Sequence, residues 1–398
     1  MNSTAVSSGF DRQRFNQTLD TLTRSQRTVG NQTKWLFDDA ESFAERMRLL
    51  DGAKHTIHIE TYILTNDATG RTLTEMLCSK SKQGVKVRVL IDGWGTSSEV
   101  RPLLEQMRAA GVEVRVYHPR SDVFELNHRL HGKQLTVDGK VTVIGGRNYA
   151  DAYSNRGPLP DGVIPWRDTD SEIAGPAVAF IQDEFVRNWE LSGARLSKTE
   201  RRAAFPTVVP NKNGVAIRTI THHPDEDGDD NIGKLYATAI RASSKSVNIS
   251  SAYFIPNAEV REALIDRAKH GVKVRILTNS TRSSDVFVVA AAARYHYPVL
   301  LAAGVEIYEE RSRTLHAKTA SFDGAVAICG SANLDSESLS KNIEIDSVIE
   351  DEAFAHAHDA QFEKDLGEAT LVTQSLLDAQ PWYMHLMTDF FHLFEFLL

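Results

Sequence analysis

The chain has 398 residues and a formal net charge of −8 at pH 7. That length allows two domains of ordinary size, and the acidic balance lacks the basic excess that a bulk grip on nucleic-acid phosphates requires. Two cysteines, Cys78 and Cys329, exclude a disulfide framework and point to a reducing compartment.

Taken in chain order, the first 33 residues read as a polar extension with no apolar core of a secretory signal. Residues 34–195 read as a first α/β unit. A β-branched strand at 56–64 leads into a helix at 70–82, then a short buried strand at 85–91, another helix, and the strand around "AAGVEV" (109–114). The stretch "LHGKQLTVDGKVTVIGGRN" (130–148) follows. Charge and prolines interrupt the periodicity across a linker at 196–214. Residues 215–372 then repeat the order: strand 246–255, helix 258–270, strand 272–277, "AAGVEI" (302–307) and "LHAKTASFDGAVAICGSAN" (315–333). "GVKVRVL" (84–90) also returns, as "GVKVRIL" (271–277). A period near 190 residues is too long for a solenoid. The expected fold is therefore α/β: two similar halves related by pseudo-two-fold symmetry, each a mostly parallel sheet flanked by helices. Residues 373–398 read as an amphipathic C-terminal segment. No apolar run reaches the ~20 residues of a bilayer span; the most apolar internal one, 286–293, stops at Arg294.

The two His-x-Lys stretches carry the chemistry. If residues 131–137 form a strand, His131 and Lys133 share a face. A two-residue turn at Asp138-Gly139 pairs Val137 with Lys140. His131 then sits opposite Gly146, with Asn148 on the same side. The second copy pairs Phe322 with Ala325 and sets His316 opposite Ser331, with Lys318 and Asn333 alongside. Each hairpin thus offers an imidazole, an ammonium and a carboxamide to one small volume, which suits a tetrahedral anion. Gly146 and Ser331 are expected at the substrate. Asp138 and Asp323 lie about 20 Å from their histidines along an extended strand, so they are read as turn-forming. A separate carboxylate should orient each imidazole: Glu344 for His316, and Asp168 for His131 by aligning "WRDTDSEIA" with "NIEIDSVIE". Asp170 and Asp346 stand two residues on from these.

These residues resemble the phospholipase D superfamily, whose mark is a duplicated His-x-Lys-x(4)-Asp followed by Gly-Gly/Ser-x-Asn. Here it stands as His131, Lys133, Asp138, Gly145, Gly146 and Asn148, and again as His316, Lys318, Asp323, Gly330, Ser331 and Asn333. Stretches such as "IHIETYILTNDATG", "SAYFIPNAEV" and "GSANLDSES" are similar to bacterial cardiolipin synthases of the branch without an obvious N-terminal transmembrane segment. The resemblance implies attack of one histidine on a phosphodiester to give a phosphohistidine, with the other acting as acid and then base. It assigns His131 as nucleophile and His316 as acid/base, with no metal or other cofactor. The implied activity is phosphatidyl transfer, most directly cardiolipin synthesis from phosphatidylglycerol and a second phospholipid. Hydrolysis to phosphatidic acid is the alternative, and a metal-independent nuclease a more distant one. The expected partner is a phospholipid at a membrane surface, not nucleic acid. The expected location is cytoplasmic, peripheral at the inner membrane surface.

Three other features stand out. "HHPDEDGDDN" (222–231) reads as a flexible acidic loop in preference to a metal site. His385, Thr388, Asp389, His392 and Glu395 form one polar stripe on an otherwise aromatic and aliphatic C-terminal helix. That helix suits either a lipid interface or a last packing surface. Trp94 and Trp166, in polar loops, are read as rim or core residues.

Overall fold

The computed structural model describes residues 9–23, 25–118, 128–154, 165–224 and 230–395. The first half contributes β1 (Arg27–Leu36), β2 (Thr56–Thr61), β3 (Lys86–Asp92), β4 (Glu113–Tyr117), β5 (Gln134–Val137), β6 (Val141–Gly145) and β7 (Asp170–Ala174). The second contributes β8 (Val215–His222), β9 (Ser246–Ser251), β10 (Lys273–Asn279), β11 (Glu306–Glu310), β12 (Lys318–Phe322), β13 (Val326–Gly330) and β14 (Glu344–Glu350), with β15 (Ala369–Leu371) added at its edge. The sheet runs β15-β11-β10-β9-β12-β13-β14-β8-β1-β7-β6-β5-β2-β3-β4. Outward from the β8–β1 seam, the two halves have the same strand order. The sequence repeat is therefore a structural repeat.

Parallel pairing is narrower than expected. It joins β2, β3 and β4, and again β9, β10 and β11. The hairpin β5–β6 and its copy β12–β13 are antiparallel, as are their neighbours. A crossover helix must return the chain to start a parallel strand, whereas a tight turn delivers an antiparallel one. β2 is buried along its whole length, as a strand covered on both faces should be. The helix that follows it, Ala68–Lys82, starts where Asp67 accepts the Gly70 N–H; Asn257 caps Ala258–Lys269 in the same way through Val260.

The segment boundaries differ from the expected ones. Residues 27–33 belong to β1, the strand that joins the halves by pairing with β7 and with β8. Helix Arg12–Leu22 buries Phe15 and Leu19 in the core of the second half. Its Asp20 pairs with buried Arg218 at 2.6 Å. The linker contains helix Lys198–Ala204, started by a reciprocal Ser197–Glu200 capping box. At the seam, Trp35, Ile144, Ile217, Cys329 and Ile345 form a shared core. Both cysteines are buried thiols without a disulfide.

Candidate active site

The histidines lie just ahead of their strands. β5 begins at Gln134 and β12 at Lys318. The N–H groups of His131 and Gly132 both donate to Ile343 O at 3.0 Å, and the His316 N–H donates to Arg167 O at 2.8 Å. Leu130 bridges Ile343, and Leu315 bridges Arg167. Each histidine segment thus leaves its own hairpin and pairs with the opposite half.

The hairpin register is one residue away from the expected one. Asp138 and Gly139 both take positive φ (52° and 60°), and the Lys140 N–H closes the turn on Val137 O at 3.0 Å. Lys140 then stays out of the ladder, and Val137 aligns with Val141. The second hairpin does the same, with Phe322 opposite Val326. The expected facing of His131 with Gly146 and of His316 with Ser331 therefore does not occur. The Asp138 carboxylate accepts the N–H groups of Lys54 (3.0 Å), His55 (2.7 Å) and Thr56 (2.8 Å). Asp323 does the same for Ser244, Lys245 and Ser246, each at 2.8 Å.

The crossing of the segments also exchanges the carboxylates. His131 Nδ1 lies 2.7 Å from Glu344 Oε1, and His316 Nδ1 lies 2.7 Å from Asp168 Oδ2. The expected pairing was the reverse. It assumed that each histidine draws its acid from its own half, while the backbone bonds to Ile343 and Arg167 place it beside the acid of the other. Ser331 and Gly146 are corrected with it. Ser331 Oγ is fully buried and donates to Glu344 Oε2 at 2.5 Å, so its hydroxyl holds the acid and not the substrate. Gly146 makes room: a Cβ there would sit 2.2 Å from Asp168 Oδ1. Of the two neighbouring aspartates, Asp170 bonds Ser42 (2.6 Å) and Arg46 (2.9 Å). Asp346 is pushed up to about 8 by burial, with the Glu344 charge adding to it.

Burial also pushes His131 down to about 4, against the pull of Glu344, and drives His316 well below the usual imidazole range. Glu344 stays below the ordinary carboxylate value despite burial, because His131 and Lys133 face it. Burial raises Asp168 to about 6, with Lys318 opposing. Burial thus favours the neutral imidazole beside each carboxylate, and a ring acting as acid must take up a second proton. In the neutral form Nδ1–H faces the carboxylate and Nε2 presents a lone pair, as a nucleophile needs. Both rings line one cleft of about 410 Å³. Tyr62 packs edge-on to His131 and Tyr153 edge-on to His316, each at 5.1 Å between centroids.

The lysines lie at the same centre. Lys133 Nζ donates to the His131 carbonyl, and Lys318 Nζ to that of His316 at 2.6 Å. Burial lowers them to about 7 and about 8, with Glu344 and Asp168 resisting. Asn148 Oδ1 accepts from Ile63 N at 2.9 Å, which turns its amide toward the Tyr153 hydroxyl. Asn333 lines the cleft. The arrangement supplies a nucleophile, an acid, and cationic and amide donors for non-bridging oxygens.

Several groups here carry no local sequence signal. Tyr62 and Tyr153 were two aromatics among many. Glu60 sits under Gly132, where a Cβ would come within 2.3 Å of its Oε1; burial pushes it up to about 8. Asp285 and Tyr253 also line the cleft. Only burial and position distinguish these residues, and neither is a local pattern. Within the acidic stretch, residues 225–229 lie outside the described residues; His223 Nε2 contacts Glu184 Oε1 at 2.5 Å. Away from the cleft, Glu395 Oε2 lies 2.9 Å from His296 Nε2 and 2.7 Å from His392 Nδ1. This trio brings three potential metal-ligand atoms within 4.8 Å of one another.

Comparison with known proteins gives a consistent result. A family model described as cardiolipin synthase, PLD-like domain, matches residues 47–156 and 236–366. A cardiolipin synthase of Geobacillus kaustophilus is 32% identical over 359 residues, covering 89% of this chain and 70% of the relative. One of Alkalihalophilus pseudofirmus is 31% identical over 364 residues, covering 90% and 71%. Among solved structures, phosphatidylserine synthase of Haemophilus influenzae superposes with a TM-score of 0.72 at 15% identity, covering 97% of this chain and 99% of that one. Polyphosphate kinase of Porphyromonas gingivalis gives 0.57 at 12% identity, covering 92% and 53%. These last two share the fold.

Proposed function

The chain belongs to the phospholipase D-like cardiolipin synthase family, and from that premise we propose that it transfers a phosphatidyl group between phospholipids, making cardiolipin from phosphatidylglycerol and a second phospholipid. The observation that carries this is the crossed pair of imidazole–carboxylate contacts on one cleft, His131–Glu344 and His316–Asp168, each at 2.7 Å.

In this reading His131 Nε2 attacks phosphorus and the bond to the leaving alcohol breaks. His316 enters this step as the imidazolium held by Asp168 and delivers its Nε2 proton to that alcohol. The acceptor hydroxyl then gives its proton to His316 and displaces His131, which restores the neutral His131 ring and the His316 imidazolium. Lys133, Lys318, Asn148 and Asn333 hold the non-bridging oxygens as charge moves through the transition state. Glu344 and Asp168 stabilise the imidazolium that each histidine becomes in turn. Glu344, held by Ser331 as well as by His131 and kept low, favours His131 as the nucleophile.

No described helix is long and apolar enough to cross a membrane. Helix Trp382–His392 has no buried residue. It exposes Trp382, Leu386 and Phe390 by 74, 58 and 55% of their surfaces. We assign this face to a lipid surface, with the protein acting from the cytoplasmic side of the inner membrane. Product analysis with labelled phosphatidylglycerol vesicles tests the transfer. Labelled cardiolipin with released glycerol is expected; phosphatidic acid as the sole lipid product would replace transfer with hydrolysis.

A further inference from the structure

The catalytic groups are nearly symmetric, but the walls of the cleft are not. The first half presents Tyr62, Ile63 and Trp94, while the second presents Tyr253, Asp285 and Asp335. Asp335 is committed to its own helix, where it accepts the Ser338 N–H at 2.8 Å. Asp285 is different. Its carboxylate stands exposed at the cleft, and both oxygens lie 2.9 Å from Tyr253 Oη. The Asp285 and Val286 N–H groups also face the carboxylate, but a carboxylate accepts about four hydrogen bonds, so acceptor capacity is left over.

The loop carrying Asp285 is fastened beside His316. Thr314 Oγ1 donates to Ser283 O at 2.7 Å. Asn279 Nδ2 donates to Leu315 O at 2.8 Å, and its Oδ1 accepts the Leu315 N–H at 2.8 Å. Tyr153, the ring against His316, is 3% exposed and lines the same cleft. Its hydroxyl meets the Asn148 carboxamide, and a phenol can both donate and accept beyond that one contact. Phosphate oxygens only accept, so a carboxylate is a poor phosphate contact. It suits a ligand that brings its own donors.

We propose that Asp285, with Tyr253 and Tyr153, forms the subsite for the alcohol headgroup on the His316 side, and that it selects alcohols carrying a second hydrogen-bond donor one carbon from the reacting carbinol. That donor is a vicinal hydroxyl or an ammonium; both present N–H or O–H to a carboxylate. The inference rests on the transfer reading above and adds what the acceptor must look like.

The test uses full-length protein, unlabelled phosphatidylglycerol vesicles, and radiolabelled glycerol, ethanolamine and 1-propanol as competing acceptors, with phosphatidic acid followed by lipid phosphorus. 1-Propanol lacks the second donor. Wild type should form phosphatidylglycerol or phosphatidylethanolamine over phosphatidylpropanol by about tenfold or more, the size of one charge-assisted hydrogen bond. Asp285→Ala should collapse both preferences toward unity. Asp285→Asn keeps an acceptor and loses the charge, so it should retain glycerol selection and lose that for ethanolamine if the ammonium is what the site reads. An unchanged ratio in Asp285→Ala, with melting and circular dichroism like wild type, overturns the subsite. Wild type that makes phosphatidic acid and no phosphatidyl alcohol rejects transfer itself, and the subsite with it.

Discussion

At the scale of single residues, the account depends on which acid serves which histidine. Glu344→Gln keeps the shape at His131 but removes the charge that stabilises its imidazolium, so kcat should fall about 10²- to 10⁴-fold. The variant should also form phosphohistidine slowly in single-turnover experiments. Equal phosphorylation rates in Glu344→Gln and wild type would put the acid on the other ring. Glu60 gives a second test. Its folded pKa, about 8, stands above the ordinary value of 4.5, so the folded state keeps a proton that the unfolded chain gives up. Wild type therefore loses stability as pH rises from about 4.5 towards 8. Glu60→Gln, which mimics the protonated form, does not incur that loss. The stability difference between the two should shift toward the variant by up to about 1.4 kcal/mol per pH unit. Urea unfolding at pH 5, 6.5 and 8 measures it, and a difference flat with pH would contradict the assignment of a neutral buried acid.

At the scale of elements, the turns are structural levers. Asp138 holds a left-handed backbone and ties three N–H groups of the preceding connection to the hairpin. Asp138→Ala should cost about 2–3 kcal/mol, read as a lower urea midpoint at unchanged slope. Loss of activity with no loss of stability would instead place Asp138 in the chemistry. The turn itself was legible, since Asp-Gly at a fixed offset from His-x-Lys announces a tight hairpin. The one-residue bulge after it was not, because Lys140 and Ala325 carry no signal that separates a paired from an extruded residue. That single step undid the facing of His131 with Gly146. The presence of Asp168 and Glu344 near the site was legible from the repeated segments, but their partners were not. Which half supplies each acid is decided by backbone bonds from Ile343 and Arg167, residues with no side-chain signature of that role. The helix positions followed from periodicity. The membership of residues 27–33 in the joining strand did not, because a polar edge such as "RTVGNQT" shows little alternation.

At the scale of the molecule, duplication explains the site. Two copies of one α/β unit meet along β1 and β8, and each lends a backbone carbonyl and a carboxylate to the other's histidine. Neither half alone has a complete imidazole–carboxylate pair, so separated halves should lack activity for want of an oriented base. The exposed apolar helix near the C-terminus belongs to the same scale. Replacing Leu386 and Phe390 together with Asp should lower co-sedimentation with phosphatidylglycerol vesicles about tenfold or more, as burial of two such side chains contributes several kcal/mol. Undiminished co-sedimentation would remove that helix from the lipid contact. The central claim is that one imidazole becomes phosphorylated while the other serves the alcohol. The direct measurement uses His316→Asn with a phosphatidyl donor bearing a p-nitrophenyl leaving group, which departs without an acid. Rapid quench and peptide mapping should find the label accumulating on His131, and His131→Asn should carry none. Label on neither ring, or label persisting in His131→Asn, would contradict the account.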